Sequence, residues 1–370
     1  MIQGLAEREV TYGAPPIHEK NCARPAGRRL ARAFTWGVLE RLLEDERLII
    51  ESMSGTSAGA MNAAVLADGF EKGGAQGARE ALARFWGAMA AAGTFSPYRS
   101  GPLNPLGPDW SPVARWWDWI SQVFSPSQLN PFNFNPLREV LSQTIDFACV
   151  RHCQKIQLYV SATNVRTNSL RIFSGAELSV DVLLASACLP QLYPAVAIDG
   201  EYYWDGGYLG NPVLEPLVDG CTDFADIVLV QVDPFQRDDV PHTAQEIASR
   251  VNEVSFNASL MREIRAIAST THLIAAGVVK DPRYKCVYFH RIAAEEMFRD
   301  LGARSKLDTH PVFLARLRDL GREAASSWLA EHFSDLGRRT TLDLSAWRPV
   351  TARAPARDER PGSSHSIDSN

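Results

Sequence analysis

The stretch that decides the fold is Leu48-Ile49-Ile50-Glu51-Ser52-Met53-Ser54-Gly55-Thr56-Ser57-Ala58-Gly59-Ala60-Met61-Asn62-Ala63-Ala64. The apolar triplet Leu48–Ile50 reads as a short buried strand. Ala58, Gly59, Ala60, Ala63 and Ala64 read as a helix whose small side chains let it pack tightly on a sheet. Between them Gly55-Thr56-Ser57-Ala58-Gly59 forms a G-x-S-x-G, in the strand–turn–helix setting that a nucleophile elbow requires. Such a turn is sharp, small residues flank the serine, and the hydroxyl of Ser57 projects at the top of the sheet. The Ala58 amide, at the helix N-terminus, is placed to meet a developing oxyanion. A bare G-x-S-x-G occurs by chance; the strand and the alanine-rich helix give this one its weight. The bland alternative is a tight turn with an unreactive serine.

Working outward, Phe34, Val38, Leu39, Leu42 and Leu43 fall on one helical face upstream. Downstream, helices are expected over 78–91, 137–147, 180–187 (stopped by Pro190) and 314–333. Strands are expected over 156–162, 170–173, 227–232 and 287–289. A long amphipathic stretch over 242–276 carries Ile247, Val251, Val254, Leu260, Ile264 and Ile267 near helical spacing. Strands alternating with helices predict an α/β fold. No internal repeat is evident.

With 370 residues, 45% hydrophobic and 22% charged, the chain can build a large core without staples. Its 38 basic and 43 acidic residues leave a formal charge of −5, which lacks the basic surplus of a nucleic-acid binder. Six scattered cysteines make no disulfide framework. Cys149, His152 and Cys153 lie close together, but no second ligand pair follows, so no metal is expected. No apolar core of signal-peptide length opens the chain, and no run reaches the ~18 residues of a membrane span. The expected location is therefore cytoplasmic, with peripheral membrane contact left open. Residues 94–136 read as an aromatic, Pro-rich insertion with Trp110, Trp116, Trp117 and Trp119. It is either a lipid-facing cap or an insertion packed on the core. The Pro-, Ser- and Arg-rich residues 349–370 read as a disordered tail after a main domain over 34–348.

A serine needs a base to take its proton. The eight histidines are His18, His152, His242, His272, His290, His310, His332 and His365, and none sits in a small-residue turn that would fix its orientation. Asp205, in Tyr203-Trp204-Asp205-Gly206-Gly207-Tyr208, sits in a turn able to lift a carboxylate towards a neighbour. A plain Asp-Gly turn at a strand end is the competing reading. Spacing alone does not select Asp205 over a histidine.

Gly55–Gly59, Asp205-Gly206-Gly207 within Asp199–Pro212, and the intervening Ala185-Ser186-Ala187-Cys188-Leu189-Pro190 together resemble the patatin-like phospholipases over roughly 33–345. The resemblance implies a three-layer α/β/α sandwich with a mostly parallel central sheet. It implies a Ser–Asp dyad without a catalytic histidine: Ser57 as nucleophile, Asp205 as base, and no cofactor. The implied reaction is hydrolysis of fatty-acyl esters in lipids, phospholipids among them, through an acyl-serine. The family also carries a glycine-rich oxyanion loop before the first helix. Here that place, at the end of a divergent segment 1–33, is held by Gly27-Arg28-Arg29-Leu30-Ala31-Arg32-Ala33, where Gly27 alone remains. The apolar strand that should precede it is replaced by polar, Pro-rich sequence over 14–26. The abrupt change is what a frame shift or altered start leaves, and equally what divergence leaves. Arginine resists the backbone geometry that glycine permits, so this loop is expected to be impaired. Two alternatives follow: a catalytically impaired lipid-binding relative, and an acyltransferase of related architecture.

Overall fold

The structure, a computed structural model, describes residues 33–93, 135–190, 193–219, 224–232, 235, 240–242, 244–293 and 310–344. The segment 1–32 with Gly27, nearly all of the aromatic insertion (94–134), and the tail lie outside the described residues. In chain order the elements are α1 (Ala33–Leu43), β1 (Ser52–Gly55), α2 (Ala58–Ala92), α3 (Pro136–Thr144), α4 (Phe147–His152), β2 (Gln157–Asn164), β3 (Leu170–Ser174), α5 (Val180–Ser186), β4 (Val196–Ile198), β5 (Glu201–Asp205), α6 (Glu215–Asp219), β6 (Phe224–Gln231), α7 (Ala244–Ala275), β7 (Cys286–Ala293) and α8 (Pro311–His332). Helices flank a mixed five-stranded sheet (β1–β5) and a second, two-stranded sheet (β6–β7) in a three-layer α/β/α arrangement.

The apolar stripe of α1 is buried as its spacing predicts. Its backbone nearly touches that of α8: a Cβ on Gly37 would lie 1.8 Å from the Arg318 carbonyl oxygen, and one on Gly321 would lie 2.1 Å from that of Phe34. The two α2 arms meet at Gly73 and Gly74, whose φ of 61° at Gly74 breaks the helical path. The helical stretch expected over 137–147 is two helices, because the Asp146 carboxylate caps α4 by accepting from the Ala148 and Cys149 amides.

Three expectations are corrected. The strand before the elbow is Ser52–Gly55, not Leu48–Ile50; Ile49 is 85% exposed, and pairing with β2 begins at Ser52. The sheet is mixed rather than mostly parallel. β1–β2 and β6–β7 are parallel, whereas β2–β3, β2–β5 and β4–β5 are antiparallel. Finally, only part of the α7 stripe packs: Leu260 and Ile264 are buried, while Ile247, Val251 and Val254 are about half exposed.

The register on β2 positions the site. β3 pairs with Tyr159–Thr163 and so occupies one edge of β2. β1 and β5 therefore share the opposite edge end to end. β1 runs parallel to β2 and stops with Gly55 beside Val160; β5 runs the other way and stops with Asp205 beside Ala162. The two strands run towards each other and end on either side of Ser161. β5 arrives there through a hairpin whose two-residue turn, Asp199-Gly200, has φ of 50° and 82°. Asp-Gly is favoured in such turns because both residues must adopt positive φ.

Candidate active site

Ser57 lies between β1 and α2 with φ 58° and ψ −126°, a strained conformation for a residue with a Cβ. Gly55 allows the turn, since a Cβ there would lie 2.6 Å from the Ala60 nitrogen. At Gly59 a Cβ would meet nothing within 4 Å, so packing does not demand that glycine. Ser57 is buried, and its hydroxyl makes no capping bond to the helix it precedes. The Gly59 amide donates to the Thr56 carbonyl at 2.9 Å and the Met61 amide to that of Ser57 at 3.2 Å. Among the described residues the Ala58 amide, at the helix N-terminus, meets no acceptor.

Asp205 is 1% exposed and ends β5. Its carboxylate accepts the Gly207 amide at 2.8 Å. Gly206 lies on the backbone of β2: a Cβ there would fall 2.3 Å from the Ser161 carbonyl oxygen. A Cβ on Gly207 would strike the Phe256 ring at 2.8 Å. Both glycines are thus required for the turn to sit where it does.

The serine turn and the aspartate turn are tied across β2. The Thr56 and Ser161 hydroxyls lie 2.6 Å apart, and both are within 3.0 Å of the Gly210 carbonyl. With two protons for three contacts, one hydroxyl donates to the other. The Thr163 hydroxyl donates to the Asp205 carbonyl at 3.0 Å. The end of α5 then reaches both turns. The Ser57 amide donates to the Ser186 Oγ at 2.9 Å, and the Asp205 amide donates to the Cys188 carbonyl at 2.8 Å. The run Ala185–Pro190 is therefore the bracket that holds the two turns, a role for Ser186 that no spacing rule marks; its one signal is its place in a run of small residues at a helix end.

Ser186→Ala tests the bracket. It leaves the buried Ser57 amide without its acceptor, which costs about 1–3 kcal/mol. Denaturant unfolding should show that loss, and turnover on any ester substrate should fall more than KM rises. Unchanged stability and turnover would contradict the bracket.

The six described histidines lie elsewhere, while His18 and His365 fall outside the described residues. His290 is buried with Nε2 3.0 Å from Asp226 and Nδ1 3.0 Å from Thr341, so both ring nitrogens serve the second sheet. His152 bonds the Ala148 carbonyl, His310 caps α8, His332 pairs with Asp335, and His242 and His272 are exposed. The Cys149 and Cys153 sulfurs approach the carbonyls of Asp68 and Ala67. Burial, with Asp68 alongside, pushes the Cys149 thiol up. No group of three His, Cys, Asp or Glu able to hold a metal occurs among the described residues. Among them, too, no helix is long and apolar enough to cross a membrane.

Comparison with known proteins adds three findings. The family model described as patatin-like phospholipase matches residues 30–218. No curated protein matches. Among solved structures, the crystal structure of VipD from Legionella pneumophila is similar at 14% identity with a TM-score of 0.37, covering 84% of this chain and 66% of that one.

Proposed function

The chain belongs to the patatin-like phospholipase family, and from that premise we propose that it is a lipid acyl hydrolase in which Ser57 is the nucleophile and Asp205 the base. The observation that supports this most is the head-on meeting of β1 and β5 on one edge of β2, which brings a strained serine turn and a buried carboxylate to the same place.

In this reading the Asp205 carboxylate takes the Ser57 proton as the Ser57 Oγ attacks the ester carbonyl carbon. The carbonyl oxygen gains the negative charge, and the Ala58 amide stabilises it. Collapse of the tetrahedral intermediate breaks the bond to the alcohol, which leaves with the proton from Asp205. Water then enters, gives its proton to Asp205 and attacks the acyl-serine. The fatty acid departs and Ser57 recovers its proton. The hydrogen bonding of His290 within the second sheet supports a dyad over a triad.

The test is release of free fatty acid from phospholipid vesicles by the full chain. Fatty acid and lysophospholipid should appear in equal amounts and rise with protein concentration. Vesicle binding without release would instead favour the lipid-binding alternative.

A further inference from the structure

The turn that carries Asp205 is backed by α7, a helix to which the mechanism gives no part. Phe256 of α7 packs against the turn: its ring would lie 2.8 Å from a Cβ on Gly207, and it meets the Tyr208 ring edge-on with centroids 5.0 Å apart. Gly207 is the residue whose amide the Asp205 carboxylate accepts. A close-packed ring against that glycine fixes where the amide points, and so where the carboxylate rests.

Further along α7, Glu263 reaches the far end of the same segment. Its Oε1 accepts the Leu214 and Glu215 amides, each at 2.7 Å. Leu214 is fully buried in the second core, so this end is anchored. Upstream of it, Gly210 joins both turns of the site. The Gly210 amide donates to the Gly206 carbonyl at 2.8 Å, next to Asp205. Its carbonyl accepts from the Thr56 hydroxyl at 2.9 Å, next to Ser57. A Cβ on Gly210 would fall 2.5 Å from the Val213 side chain, so the segment between Glu263 and the site has little slack. Burial pushes the Glu263 carboxyl up, the two amides oppose that, and the Glu215 charge beside it adds to the rise. A neutral carbonyl oxygen in the same place would hold both amides without burying a charge.

We infer that α7 is the positioning element for the base, on the reading that Asp205 is that base. Phe256 sets the Gly207 amide that orients the Asp205 carboxylate. Glu263 holds the segment whose Gly210 ties the aspartate turn to the serine turn. Both residues lie beyond residue 218, where the family match ends.

The test is a double-mutant cycle on the full chain, read as turnover of an activated fatty-acyl aryl ester. Glu263→Ala and Phe256→Leu are each made alone and in combination with Asp205→Asn. Alone, each should lower kcat by roughly 10-fold or more and move KM little, since misplacing a group by about 1 Å can cost about 10²-fold. Combined with Asp205→Asn, each should lower kcat no further, because no base remains to be misplaced. A purely structural role predicts the same factor in both backgrounds, and that result would overturn the inference. Glu263→Gln keeps a carbonyl oxygen for the two amides and should restore kcat and the unfolding midpoint close to wild type. A loss as large as that of Glu263→Ala would remove Glu263 from the role. Phe256→Leu keeps an apolar side chain against Gly207, so the cycle can be read even where Glu263→Ala does not fold. Wild-type turnover by Asp205→Asn alone is a separate result: it would overturn the dyad, and this inference with it.

Discussion

Ser57→Ala is expected to abolish ester hydrolysis and covalent labelling by a fluorophosphonate probe. A serine nucleophile has no substitute within its turn, and loss of such a group costs on the order of 10⁴-fold or more in turnover. The fold should be retained, since Ser57 donates its backbone amide to Ser186 and its hydroxyl makes no capping bond. Unfolding midpoints of the two proteins should agree closely. Hydrolysis at wild-type rates by the variant would place the chemistry at another residue.

Asp205→Asn is the second large effect. Asparagine keeps the shape and can still accept the Gly207 amide through its carbonyl oxygen. It cannot take the Ser57 proton, so turnover should fall by roughly 10²–10⁴-fold, the usual worth of a general base. KM should move little. Secondary structure and melting temperature should stay near wild type, which separates lost chemistry from lost fold. If Asp205→Asn kept its turnover while a single histidine-to-alanine change removed it, the base would be that histidine and the dyad would be wrong.

Much of this architecture is legible in the sequence, for physical reasons that differ by element. The α1 stripe is read directly because one face packs against α8 and the other does not, which forces helical periodicity. The serine turn is legible because its steric demands are local: Gly55 must yield to Ala60. The strand before it is misplaced because Leu48–Ile50 is the most apolar triplet there, whereas β1 is chosen by its register on β2. Long-range pairing leaves no local mark on Ser52-Met53-Ser54, a weakly apolar run. The β4–β5 hairpin did carry a mark, Asp199-Gly200 between Val196–Ile198 and Glu201–Tyr203. Without that hairpin, Asp205 reads as an isolated turn; with it, Asp205 becomes the end of a strand aimed at the elbow. Ser186 is legible only as part of a run of small residues, not in its role, because its partner is a backbone amide 129 positions away. The aromatic insertion and the Gly27 segment lie outside the described residues, so their roles rest on the sequence alone.

The central claim is an acyl group carried on Ser57. The direct measurement is peptide mass spectrometry after the full chain is mixed with an activated fatty-acyl aryl ester and quenched in acid within the first turnovers. The account predicts the mass of one acyl group on the peptide containing Ser57, present early, decaying as fatty acid appears, and absent from Ser57→Ala. Fatty acid released at the same rate with no acyl mass at Ser57, or with the acyl group on a different side chain, would contradict it.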